Sequence, residues 1–126
     1  MKSGDSFIAP TYTFVASVEV GEYLGASPVL VDSDIETFNI DLDEVERKLI
    51  NDKEHNIKAI LPVHFAGLTV DMDRVYKLAE EYNLFILEDA AHALESISNI
   101  GKIGNTSHAA AFSFYANKNI TSGGEG

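Results

Sequence analysis

Residues 57–89 read IKAILPVHFAGLTVDMDRVYKLAEEYNLFILED, and the change of periodicity inside them decides the fold. Ile57 to Val63 is a short apolar run of the kind a buried strand prefers. Met72, Val75, Leu78 and Ala79 then recur three and four residues apart, which places them on one face of a helix. Asp71, just before them, offers a carboxylate to the free amides of the first turn. Leu84 to Leu87 is a second apolar run, and it ends in Glu88 and Asp89. Strand, loop His64-Phe65-Ala66-Gly67, helix and strand make a βαβ unit, whose two strands are expected to lie parallel.

The alternation continues on both sides. Upstream, Ser6 to Ala9 is a short extended segment closed by Pro10, a residue rarely found in a central strand. From Thr13, residues Phe14, Val18 and Val20 to Leu24 fall at helical spacing, with Thr11 and Thr13 as candidate N-caps. Gly25 ends that helix and Pro28 prevents its resumption. Pro28 to Val31 is the next strand, landing on Asp32. Asp41 opens a helix with Leu42, Val45, Leu49 and Ile50 on one face, and Asp41 and Glu44 form a capping pair. Downstream, Ala109 to Phe114 is the last strand, followed by a polar, Gly-rich tail from Tyr115 to Gly126. The expected class is α/β, a mainly parallel sheet of about five strands with helices on its faces. A single domain spans 1–126, and the tail without a following element suggests a piece of something larger.

Composition narrows the partners. The chain has 126 residues, enough for one domain, and its 45% hydrophobic and 23% charged content excludes collagen-like and disordered classes. Nine Lys plus Arg against twenty Asp plus Glu leave a net charge of −11. That balance argues against nucleic acid, whose phosphates require a basic face. There is no cysteine, which removes disulfides, thiolate metal sites and cysteine nucleophiles. The four histidines show no zinc spacing, so no metal is expected. No apolar run approaches the ~18 residues of a spanning helix, and the amino terminus lacks a secretory pattern. A cytoplasmic protein without a membrane partner is the expectation.

In open α/β sheets ligands bind beyond the carboxyl ends of the strands. That rule selects Tyr12, Thr13 and Phe14 after the first strand, and His64 and Phe65 after the third. It adds Glu88, Asp89 and His92 after the fourth, and Tyr115, Asn117, Lys118 and Asn119 after the fifth. Lys118 is either a solvated surface lysine or, beside a packed strand end, a desolvated reactive amine. Asp89 is either the N-cap of a helix beginning at Ala90 or a buried carboxylate that holds a cationic ring nitrogen or a metal. His92, three residues on, could share its turn. Ser113, between Phe112 and Phe114, is either a satisfied core hydroxyl or a phosphate ligand. Phe14 is either core or a ring that covers a planar ligand.

The segments APTYTFVAS, PVLVDSD, NIDLDEVE, ILPVHFAG, EDAAHA and FSFYANKNITSGGEG together resemble the DegT/DnrJ/EryC1/StrS sugar aminotransferases. These are pyridoxal-phosphate enzymes of the aspartate-aminotransferase-like fold, and the segments fall in family order along nearly the whole chain. The resemblance implies that Lys118 is the amine that bonds covalently to the cofactor and later shuttles the proton. It implies that Asp89 pairs with the pyridinium nitrogen, keeping the ring an electron sink. His92 would sit near the ring and its phenolic oxygen, Phe14 would stack on the ring, and Ser113 would bind the phosphate. The implied reaction moves an amino group from an amino acid to a keto sugar-nucleotide. Branch members with histidine in place of the lysine act as dehydratases, so Lys118 points to transamination.

The family's upstream Gly-Thr segment and smaller carboxyl-terminal domain lie outside these residues, so a truncated portion of the large domain is expected. Sheet edges and apolar faces normally covered by those parts lead to an expected homo-oligomer. A non-catalytic orphan domain that folds and self-associates is the alternative reading. A phosphoacceptor signalling domain is disfavoured, because the first strand meets Ala9, Pro10 and Thr11 rather than an acidic pair.

Overall fold

The structure, a computed structural model, describes residues 1–105 and 108–124. The chain runs β1 (Ser6–Pro10), α1 (Ala16–Glu22), β2 (Ser27–Val31), α2 (Leu42–Asn51), β3 (Ile57–Ile60), α3 (Met72–Tyr82) and β4 (Phe85–Asp89). A two-residue hairpin, β5 (Ile97–Ser98) with β6 (Gly101–Lys102), precedes β7 (Ala109–Ala111). Five strands form one sheet in the order β2-β1-β3-β4-β7, and every adjacent pair is parallel. The hairpin had no signature in the sequence, since two residues a side are too few to show a period.

Alternation within the strands sends side chains to two different layers. Ile8, Val31, Ile60 and Ile86 face α2 and α3, meeting Val45, Leu49, Val75 and Leu78. Phe7, Ala9, Ala59 and Leu61 face the other way, toward Val18 of α1. Removing each Ile, Val, Leu or Phe side chain among these from water contributes roughly 1.5–3 kcal/mol. Gly21 lets α1 lie directly against the Phe7 ring, because a Cβ there would run into the ring carbons. Arg74 of α3 ties the opposite layer together through Asp43 and Glu46 of α2.

Several boundaries differ from the sequence reading, each for a local reason. Pro10 is inside central strand β1, as its last residue. Ile8 O accepts from Leu61 N–H at 2.8 Å on the β3 side. The next donor on that side would be Pro10, which has none, so the β1–β3 pairing stops at Ile8 and Ile60. Strand β3 accordingly ends at Ile60, not Val63. The last strand ends at Ala111, not Phe114: Ala90 N–H donates to Ala111 O at 2.8 Å, and the chain after Ala90 then turns away. Neither Thr11 nor Thr13 caps α1, which starts at Ala16 with no side-chain cap. Their hydroxyls donate instead to Asp32 and Ser17.

The other two helices start as expected. Asp41 accepts from the Asp43 and Glu44 amides, and Asp71 accepts from the Arg74 amide. Glu44, however, takes the amide of Asp32 at 2.8 Å, so the capping pair reaches back to β2 rather than closing on itself. Among the described residues no helix is long and apolar enough to cross a membrane.

Candidate active site

The chain leaves β1 through α1 to β2 on one side, then returns through α2 to β3 on the other side of β1. Such a reversal splays the loops at the carboxyl ends of the strands and opens a crevice there. A cleft of about 1060 Å³ occupies that position. Phe14, Asp89, His92, Ser113 and Lys118 all line it, although they come from three separate parts of the sequence. Tyr12, Thr13, Phe65, Tyr115 and Asn117 line it too, whereas Asn119 does not.

Asp89 ends β4 on the α1 side and is half-buried. Its Oδ2 accepts from Ser17 Oγ at 2.6 Å, and its Oδ1 accepts from the Ala91 amide at 3.1 Å. The helix-cap reading of Asp89 is corrected here, because a turn and not a helix follows Ala90. Ser17 is buried and in turn accepts from Thr13 Oγ1 at 2.9 Å. Sequence reasoning missed Ser17. The available signal was a hydroxyl four residues after Thr13, within an otherwise apolar helical pattern.

His92 is exposed, and its Nδ1 accepts from the Ala66 amide at 3.3 Å. That bond leaves Nε2 to carry the hydrogen of the neutral ring. The loop offering the amide is strained into place, with Ala66 and Gly67 at φ of 51° and 84°. Asn39 steadies it by accepting from the Phe65 amide and donating to Leu68 O. Phe14 is 75% exposed at the mouth of α1, so it is not a core residue. Ser113 is half-buried, with its Oγ accepting from the Tyr115 amide at 3.3 Å.

Lys118 is half-buried, held by its backbone N–H on Tyr115 O at 3.0 Å. Its ammonium has no hydrogen-bond or ion-pair partner among the described residues. Lys48, Lys77 and Lys102 by contrast each pair with a glutamate or aspartate. The remaining two candidates, His64 and Glu88, also border the cleft, but their side chains are fully buried and joined to each other at 2.7 Å. His64 Nδ1 accepts from the Val70 amide at 3.1 Å. The ring hydrogen is therefore on Nε2 and is donated to Glu88. Among the described residues no three His, Cys, Asp or Glu side chains are grouped to hold a metal ion.

Fold and cleft together define an α/β protein with its pocket at the switch point of a doubly wound parallel sheet. The chain belongs to the DegT/DnrJ/EryC1/StrS aminotransferase family, whose model matches residues 1–126. It is 40% identical over 123 residues to GDP-perosamine synthase of Escherichia coli O157:H7, covering 98% of this chain and 33% of that protein. A DegT/DnrJ/EryC1/StrS aminotransferase from Brucella abortus superposes with a TM-score of 0.91 at 33% identity, over 98% of this chain and 34% of that one. A Streptococcus pneumoniae protein solved in its PLP form superposes at 0.82 with 32% identity, over 95% of this chain and 33% of that one. The chain thus spans about a third of the length of the relatives it matches.

Proposed function

We propose that this chain forms the cofactor-facing part of a pyridoxal-phosphate-dependent aminotransferase acting on a keto sugar-nucleotide, with an amino acid as donor. The observation that supports this reading is the convergence of Lys118, Asp89, Phe14, His92 and Ser113 on one cleft. The side chains suit the cofactor chemically. A carboxylate with both oxygens already accepting, yet facing the cleft, matches a cationic ring nitrogen. Phe14 offers an uncovered aromatic face, Ser113 a hydroxyl for phosphate, and Lys118 an amine not engaged elsewhere.

When bound, pyridoxal phosphate supplies a conjugated ring that absorbs the electron pair left by breaking a Cα–H bond. The chain's residues do the rest. Asp89 holds the ring nitrogen's proton, and the low-dielectric floor of Leu61 and Leu87 strengthens that pairing. Phe14 covers one ring face and excludes water from it. His92, with its hydrogen on Nε2, serves as a donor to a ring oxygen. Lys118 Nζ takes the proton from Cα of the donor and returns one to the acceptor, the work of a positioned general base.

The exposed apolar side chains Val15, Val20, Tyr23 and Leu24 of the α1 region, with Leu30 on edge strand β2, support a homo-oligomer. Sedimentation equilibrium should give a mass above the monomer, and a monomer at high concentration would remove that part of the reading. The family and the composition support a location in the cytoplasm.

The test of the cofactor reading is selective labelling. With one equivalent of pyridoxal phosphate followed by borohydride, the cofactor mass is expected on the peptide carrying Lys118 and is lost in Lys118→Ala. Label spread evenly over the surface lysines would instead favour the non-catalytic domain.

A further inference from the structure

Asp89 cannot hold a ring nitrogen well unless its own carboxylate is held. An aspartate has two free side-chain torsions, and a carboxylate offers about four acceptor sites around its two oxygens. In this structure two of those sites are taken from opposite ends: the Ala91 amide at Oδ1 and Ser17 Oγ at Oδ2. The second bond is short, at 2.6 Å, as expected when a hydroxyl donates to an ionised oxygen. Ser17 has a single hydrogen, and Thr13 donates to the Ser17 oxygen at 2.9 Å. The hydrogens therefore run one way, Thr13 to Ser17 to Asp89, and Oδ2 acts as acceptor only. Ser17 is 8% exposed, so no bulk water substitutes freely for this donor.

We infer that Ser17, oriented by Thr13, is a positioning residue that fixes the plane of the Asp89 carboxylate so that a remaining lone pair points into the cleft at a cationic ring nitrogen. This rests on the reading of Asp89 given above. It goes beyond it by assigning α1, through the buried Ser17 hydroxyl bonded to Asp89, a share in the strength of that contact. The competing account is that the Ser17–Asp89 bond merely anchors α1 to β4.

Two ligands separate the accounts: pyridoxal phosphate, and its analogue with a CH in place of the ring nitrogen. Ser17→Ala is expected to weaken pyridoxal phosphate binding about tenfold, the value of a hydrogen bond to a charged group, and to leave the analogue's affinity unchanged. Ser17→Thr, which keeps the hydroxyl, is expected to bind both as the parent does. Equal weakening for both ligands, or none for either, overturns the inference.

A second readout needs no cofactor. Three-bond couplings across Asp89 χ1 should report one rotamer in the parent and in Ser17→Thr, and averaging in Ser17→Ala. If the parent fails to bind pyridoxal phosphate, the cofactor reading falls, and the couplings decide the relay by themselves. An unchanged Asp89 rotamer in Ser17→Ala would then sink it.

Discussion

Glu88 and Asp89 are adjacent carboxylates at the end of one strand, and the sheet gives them opposite surroundings. Glu88 points to the α2/α3 layer, where it is sealed against His64 with both side chains inaccessible. Asp89 points to the α1 layer, where Ser17 and Ala91 hold it but leave it facing a cleft. Burial, hydrogen bonding and charge are present in both pairs. What separates them is access: the Glu88 side chain is closed to solvent, whereas Asp89 is only half-buried. A sealed acid holds the scaffold together, whereas an acid held from behind and open in front is available to a ligand.

That contrast is broken first by mutating the sealed pair. His64→Leu leaves Glu88 buried without its ring donor, and removing one partner of a buried pair costs roughly 3–5 kcal/mol. Urea unfolding measures this directly, and a loss below about 1 kcal/mol would erase the distinction.

The complementary change is Asp89→Asn. It keeps the shape and an acceptor for Ser17, so stability should fall by no more than about 1 kcal/mol. Binding of pyridoxal phosphate should drop about tenfold or more, because the pairing with a cationic ring nitrogen loses its charge. A titration that finds the two proteins equal in affinity would remove Asp89 from the cofactor's partners.

The smallest effect concerns a neighbour of the sealed pair. Burial, and secondly the charge of Glu88, push the Tyr76 hydroxyl above its ordinary value of 10.0. Burial also raises Tyr82. The folded state therefore disfavours the phenolate, so this contribution is complete below pH 10 and is lost as pH rises through the raised value. Stability followed from pH 8 to 11 should decline at its alkaline end, and Tyr76→Phe should make that decline shallower. An identical alkaline slope in the variant would show that the sealed layer does not sense Glu88's charge through this hydroxyl.

Much of this was legible in the chain before any coordinates. Apolar period, capping aspartates and strand-end polar residues pointed to a parallel α/β sheet and to the carboxyl edge where Lys118, Asp89, His92, Ser113 and Phe14 converge. These are local signals: a helix face, a cap and a strand each express themselves within a dozen residues. The strand ends at Ile60 and Ala111 were not legible, because pairing stops where a neighbour lacks a donor or turns away. Pro10 in β1 and Ala90 just past β4 exert that control from elsewhere in the chain.

Ser17 escaped for a similar reason. It acts on Asp89 across 72 positions of sequence, and nothing near Ser17 records that encounter. By itself, then, the sequence determined which residues carry reactive groups and which elements hold them. Only the tertiary structure decided what holds each of two neighbouring carboxylates and how far each is closed off. That outcome depends on what α1, α2 and α3 pack against either side of one sheet, and strand alternation distributes side chains to both sides without stating what waits there.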